Sequence, residues 1–162
     1  MIFYEFEVKP DWDKRNKMLM RVAGDITFDH IVSIIVNDIG LDSGHLYEFT
    51  VVKDGTTRKQ QLERGSKIIT DASDIPTPRI SEYHDLPELE KAAIRIEKET
   101  HFAFEPLNAI KWKKDMKMWL LYDFGDMNYF IITCKNVLDG RFPKKVVNEK
   151  HFKKYNHDDY LE

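Results

Sequence analysis

Apolar and polar residues alternate at the start of the chain. Residues 2–8 place four apolar side chains on one side of a two-residue period and two glutamates on the other, which is typical of a half-buried strand. A second apolar run over residues 18–22 predicts another strand, antiparallel to the first. Gly24-Asp25 then interrupts the pattern.

The period changes after Thr27. Apolar residues now recur at three- and four-residue spacing as far as Ile39, which predicts an amphipathic helix. Thr27 is a suitable N-cap, because its hydroxyl can accept a free backbone N–H of the first turn. Gly40 is suited to the C′ position that ends a helix.

Three further strands follow from short apolar runs. Residues 45–52 predict one, with residues 59–62 as a candidate hairpin partner across the turn Asp54-Gly55. Residues 119–122 and 129–134 predict two central strands. The sequence Tyr-Asp-Phe-Gly-Asp at 122–126 then closes a hairpin, and Gly125 is expected at the positive-φ position of a type II′ turn.

The strands come in hairpin-like pairs, which favours an α+β fold. We expect a mostly antiparallel or mixed sheet built from hairpins, with helices packed on one face. We predict a single domain over residues 1–140, in which 63–85 is irregular, a helix follows Pro87, and 76–112 is a helical insertion. Residues 141–162 are expected to form a polar tail or a short docked helix.

Composition narrows the function classes. The formal net charge of −3 provides no overall attraction to nucleic acid. Cys134 is the only cysteine, so no intramolecular disulfide forms, and a reducing compartment is expected. No apolar run reaches the length of about 18 residues that spans a bilayer. These features predict a cytoplasmic protein without a membrane segment.

The hairpin turn allows two interpretations. In a structural one, Asp123 binds backbone donors and Asp126 faces solvent. In a functional one, both carboxylates bind a ligand or form part of a metal site, although two carboxylates make an incomplete ligand set. His45 lies near Asp123 if the strand at 45–52 neighbours the strand that ends at the turn.

Other catalytic patterns are absent from the sequence. The six histidines lack zinc-motif spacing, and no nucleophile, phosphate-loop or dinucleotide motif occurs. We therefore predict no cofactor. Lysines 111, 113 and 114 surround Trp112, and further lysines follow near the C-terminus. They allow either nucleic-acid contacts with base stacking or an ordinary solvated face.

The order of these elements resembles the plasmid-encoded Orf-three-like family, which also carries a transposon-passenger (TnpR-like) label. The resemblance spans about residues 1–137 and rests on His-Leu-Tyr-x-Phe at 45–49 and Tyr-Asp-Phe-Gly-Asp at 122–126. It implies an α+β domain from a prokaryote and no defined activity. Relatives usually follow the turn with Trp and then His two residues later, where this chain has Asn128 and Phe130. A family site that used that histidine would be incomplete here.

These observations lead to three hypotheses. The first is a non-enzymatic binding or interaction domain whose ligand contacts His45, Tyr47, Asp123 and Asp126. Its partner is unknown, and another protein or a second copy of the chain are both candidates. The second is a metal-dependent enzyme that uses the two aspartates and His45. The third is a mobile-element protein that binds nucleic acid through its lysines.

Overall fold

A computed structural model describes residues 1–69 and 101–154. Eight strands form one sheet: β1 (Ile2–Pro10), β2 (Met18–Ala23), β3 (Tyr47–Val51), β4 (Ser66–Ile69), β5 (His101–Phe102), β6 (Lys117–Tyr122), β7 (Asn128–Asp139) and β8 (Val146–Lys150). The helices are α1 (Phe28–Ile39) and α2 (Arg58–Arg64), and a 3-10 turn occupies Leu107–Ala109.

The strand order across the sheet is β5-β4-β3-β6-β7-β1-β2-β8. All neighbouring pairs are antiparallel except β4 and β5, which are parallel. The predicted α+β class and mixed sheet are therefore confirmed. The hairpin of β6 and β7 lies at the centre of the sheet, as its apolar sequence predicted.

Strand register gives the sheet one continuous apolar face. One row across β1, β7, β6 and β3 consists of Val8, Ile132, Met118 and Val51. All four side chains are buried. Side chains on one face recur at every second residue, and the next row on this face contains three more buried apolar residues, Phe49, Leu120 and Phe130. Each fully buried large apolar side chain stabilises the fold by about 1.5–3 kcal/mol.

Helix α1 packs against this face. The Phe28 ring lies 5.6 Å from the Phe49 ring of β3, centroid to centroid. The helix begins where the sequence predicts, because the Thr27 side chain accepts the His30 N–H at 3.1 Å. It ends at Gly40, which has φ +87° and donates its N–H to Val36.

The predicted hairpin partner at residues 59–62 is wrong, since these residues lie in helix α2. A capping box starts this helix: the Thr57 hydroxyl accepts the Gln60 N–H, and the Gln60 side chain accepts the Thr57 N–H. These local bonds favour a helix over the weak apolar pattern. Gln61 accepts a hydrogen bond from the Trp119 indole at 2.8 Å, so α2 lies on the face of the sheet opposite α1. The expectation that the helices pack on one face therefore does not hold for α2.

Two other segments differ from the predictions. Residues 66–69, expected to be irregular, form β4 because β3 offers an unpaired edge to a short apolar run. In the proposed helical insertion, the described part contains β5 and a 3-10 turn. The predicted helix after Pro87 lies outside the described residues.

The segment after residue 140 contains a strand where a tail or docked helix was expected. β8 pairs with β2 and extends the sheet. The chain is then held against α1, since Asp38 accepts the Phe152 N–H at 2.7 Å and the Phe152 ring is buried. The lysine-rich composition of this segment suggested a solvated tail, but lysines are also common on edge strands.

Within residues 1–69 and 101–154, no helix is long and apolar enough to cross a bilayer.

The buried Cys134 predicts how stability depends on pH. Burial, with a smaller effect from Asp115, raises the pKa of its thiol to about 11. The unfolded thiol ionises about two units lower, so between pH 9 and 11 the unfolded chain releases a proton that the folded chain keeps. The free energy of unfolding therefore falls in this window, by about 2–3 kcal/mol at its upper end.

Urea unfolding of the native chain and Cys134→Ala between pH 8 and about pH 10.5 tests this expectation. The native chain should lose more stability than the variant as pH rises. Parallel pH profiles for the two proteins would contradict it.

Candidate functional site

An open cleft lies between the end of α1 and the loop that joins β6 to β7. Its volume is about 610 Å³, and we call it the hairpin cleft. The lining residues are Gly40, Leu41, Asp42, His45, Tyr122, Asp123, Asp126 and Asn128. Three of the four predicted site residues, His45, Asp123 and Asp126, therefore lie together.

The pairing of β3 with β6 brings His45 to Asp123. Tyr47 and Tyr122 are partners in the antiparallel register, and the Asp123 N–H donates to the Leu46 carbonyl at 2.8 Å. Leu46, which precedes Tyr47, therefore lies beside Asp123, which follows Tyr122. His45 is the next residue along the chain from Leu46. His45 Nδ1 lies 3.4 Å from Asp123 Oδ2, so the predicted proximity is confirmed.

The hydroxyl of Tyr122 holds the wall of the cleft. Its ring belongs to the buried core, while the hydroxyl donates to the Asp42 carbonyl and accepts the His45 N–H at 3.4 Å. The His45 ring stands edge-on to the Tyr122 ring at 5.8 Å. Burial raises the pKa of Tyr122, the hydrogen bond from the His45 N–H partly offsets this increase, and the nearby Asp123 and Asp42 raise the pKa further. The hydroxyl thus keeps its proton as a donor.

Asp123 shapes the loop from within. Its Oδ1 accepts the N–H groups of Gly125 and Asp126 at 3.1 and 3.4 Å, which confirms the structural interpretation of the turn. Its φ is +64°, a left-handed conformation that aspartate tolerates better than most residues. One carboxylate oxygen therefore orders the loop while the other faces His45.

The predicted type II′ turn is wrong. The loop has five residues between the strands, and positive φ angles occur at Asp123 and Met127 and not at Gly125. The side-chain bonds of Asp123 build a wider loop than a two-residue turn. Gly125 instead provides room, since a Cβ there would lie 3.3 Å from Asp123 Oδ1.

The cleft has a strongly negative character. The carboxylates of Asp42, Asp123 and Asp126 line it, and His45 is the only lining residue that can carry positive charge. Asp42 and Asp126 are exposed and form no ion pair with a described residue. The C-terminal end of α1 also lies at the cleft and adds the negative end of the helix dipole.

Tyr47, the fourth predicted residue, lies outside the hairpin cleft. It lines a separate cavity of about 160 Å³ that shares His45 and Tyr122 with the cleft. Its hydroxyl donates to Asp29 in the first turn of α1. Burial, and then the bond to Asp29, raise the pKa of Tyr47 far above its usual value. Tyr47 therefore supports the wall behind His45.

Sequence reasoning missed Asp42 and the Tyr122 hydroxyl. A signal for Asp42 was available, because the polar run 42–45 follows closely on the helix-ending Gly40 and precedes the strand that brings His45 to the turn. Asn128, noted as a departure from the family pattern, lines the cleft. Phe130, the other departure, is buried and packs edge-on against Trp12.

The two alternative hypotheses find less support in the described residues. Within 1–69 and 101–154, no group of three or more His, Cys, Asp or Glu side chains is arranged to hold a metal ion. The lysines at 111, 113 and 114 are exposed, but Trp112 between them is buried and donates its indole N–H to Leu107. Its ring is therefore not presented for base stacking.

Comparisons with known proteins support the suspected family. The family model described as Plasmid pRiA4b ORF-3-like protein matches residues 17–148. No curated protein is significantly similar in sequence. The fold is similar to the crystal structure of a protein of unknown function, MM3350, from Methanosarcina mazei Go1. The TM-score is 0.61 over 93% of this chain and 68% of that one, at 12% identity, a likeness that shows the fold alone.

Substitutions at Asp123 separate its structural bonds from its charge. Asp123→Ala removes the acceptor of two N–H groups and places alanine at positive φ, so we expect a loss of about 1–3 kcal/mol of unfolding free energy. Asp123→Asn keeps an oxygen acceptor and tolerates this backbone, so the loss should stay below about 1 kcal/mol.

Urea unfolding measures both variants, with the exposed Asp126→Ala as a control expected within about 0.5 kcal/mol of the native chain. An equal loss for Asp123→Asn and Asp123→Ala would show that the charge opposite His45, and not the loop bonds, carries the stability.

Proposed function

We propose that this chain, which belongs to the plasmid pRiA4b ORF-3-like family, is a non-catalytic binding domain. Its hairpin cleft binds a cationic group. The class of ligand is a primary amine or a guanidinium, carried by a small molecule or by a side chain of a partner. The observation that carries the proposal is the convergence of three carboxylates on one cleft that has a single, weakly basic counterpart.

The free carboxylates define where the cation binds. One oxygen of Asp123 is occupied by loop N–H groups and the other faces His45. Asp42 and Asp126 have no such partners among the described residues. Hydrogen bonds from an ionised donor to a carboxylate are shorter and stronger than neutral ones, so these two aspartates are the expected direct contacts.

The surroundings of the carboxylates favour a cation with an apolar stem. The partly buried Leu41 lies in the cleft beside the polar groups, and long cationic side chains bury their methylenes along apolar surface. Asn128 offers a neutral side-chain amide at the opposite wall. A guanidinium or ammonium on a short alkyl chain satisfies both features.

Several observations support binding in preference to catalysis. The carboxylate nearest His45 is held by the loop, and the described residues offer no three-ligand metal set. The cleft is shaped by backbone bonds and by the hydroxyl of a core tyrosine. A site that is already formed before binding loses less conformational entropy on binding.

Titration with n-butylguanidinium, followed by amide chemical shifts, tests the proposal. We expect shifts at Gly125, Asp126 and Asn128 that saturate and that weaken with added salt, because the attraction is between partly exposed charges. The neutral isostere n-butylurea is the matched probe and should leave these amides unshifted. Equal shifts with both probes would overturn the proposal.

Charge-neutralising variants locate the site. Asp42→Asn and Asp126→Asn should each weaken binding of n-butylguanidinium by about two- to fivefold, the value of a partly exposed charge pair. Asp54→Asn removes an exposed carboxylate that pairs with Arg64 outside the cleft and should leave the affinity unchanged. An equal effect of Asp54→Asn would show attraction to net charge alone.

A further inference from the structure

The outer edge of β8 is a second surface with its own chemistry. β8 pairs with β2 on one side, and no described strand pairs with its other side. A cleft of about 650 Å³ runs between β8 and α1. We call this region the β8 edge surface. An open edge presents backbone N–H and C=O groups to which another strand can bond.

Cations without an ion pair to a described residue lie along this edge and in a second cleft at the end of β8. Two of them, Lys144 and Lys154, line the cleft beside α1. Four more line an adjoining cleft of about 330 Å³, namely Arg15, Lys17, Lys150 and Lys153. None of the six forms an ion pair with a described residue. The net charge of the chain is −3, so this surface has a local excess of positive charge that the chain as a whole does not have.

Few free carboxylates balance these cations. Asp13 lies in the smaller cleft, and Glu149 is exposed on β8 itself. Asp38 is already engaged, because it contacts His151 and accepts the Phe152 N–H. The surface therefore remains positive overall and attracts acidic groups.

The cleft beside α1 also offers apolar and hydrogen-bonding contacts. Ile34 and Val146 are partly buried against the core and line it. The side-chain oxygen of Asn148, also in the lining, is buried and has no hydrogen-bond partner among the described residues. A buried acceptor without a partner costs about 1–3 kcal/mol, and an incoming N–H group would satisfy it.

We propose that the β8 edge surface binds an extended acidic segment of a partner protein, which adds to the sheet as a further strand beside β8. Main-chain hydrogen bonds to β8 supply affinity in this mode, and side chains at alternate positions supply specificity. Acidic side chains of the segment meet Lys144, Lys154 and the cations of the adjoining cleft. Apolar side chains of the segment enter the same cleft, beside Ile34 and Val146.

If the same lysines only protect the strand edge from pairing, the acidic peptide should not bind. Lysines on edge strands commonly prevent unwanted pairing. A protective edge rejects added strands, whereas a binding edge accepts an acidic strand and rejects a basic one. Peptides of opposite charge therefore distinguish the two roles.

Fluorescence anisotropy with a labelled peptide of alternating glutamate and valine, about eight residues long, tests the proposal. We expect saturable binding that weakens with salt, and no binding of the matched lysine–valine peptide. A glutamate–valine peptide with alternate backbone nitrogens methylated keeps the charge and loses the donors, so it should bind about tenfold more weakly or not at all.

Paired charge reversals supply the control on the protein. Lys144→Glu with Lys154→Glu should weaken peptide binding by about tenfold or more. Lys53→Glu with Lys59→Glu makes the same change in net charge on exposed residues around β3 and α2, towards the other end of the sheet, and should leave binding unchanged. Circular dichroism confirms that each variant is folded.

Four results would overturn the proposal. The first is absence of saturable binding of the acidic peptide, and the second is equal binding of the methylated peptide, which shows attraction by charge alone. The third is displacement of the peptide by a short oligothymidine that itself binds more tightly, which assigns the surface to nucleic acid. The fourth is concentration-dependent dimerisation that blocks the peptide, which assigns the edge to a second copy of the chain.

Discussion

The structure depends on one constraint, which is that the apolar face of a wide sheet has to be covered. The face extends over strands from every part of the described chain, and helix α1 contributes a stripe of six buried residues to it. Packing fixes both the angle and the position of the helix. Its last turn, and Gly40 after it, are thereby held beside the β6–β7 hairpin, where the cleft forms.

The cleft is therefore a consequence of the fold. The ring of Tyr122 belongs to the core and its hydroxyl to the cleft, so the same residue connects packing with the site. Asp123 also has two roles. Its Oδ1 accepts N–H groups of its own loop, and its Oδ2 faces His45. The cleft is negative because the loop after α1 places Asp42 there and the hairpin loop places Asp123 and Asp126 there.

Part of the fold was predictable from local sequence signals. Thr27 and Gly40 mark the ends of α1 because capping depends on neighbouring residues alone. The proximity of His45 and Asp123 followed from assuming that their strands are neighbours. Pairing between distant segments could not be predicted from local signals. β8 is a strand because it pairs with the free edge of β2, and the sequence of residues 146–150 alone does not indicate that pairing. The loop after Tyr122 also escaped prediction, because the side chain of Asp123, and not Gly125, determines its shape.

The hydroxyl of a core tyrosine, Tyr122, holds the cleft in shape without any ligand. Amide hydrogen exchange of Tyr122→Phe, compared with the native chain, tests this role most directly. We expect the His45 amide to exchange about tenfold faster or more in the variant, while the amides of Leu120 and Phe130 in the central strands keep their protection. Unchanged exchange at His45, or equal acceleration at all three amides, would contradict it.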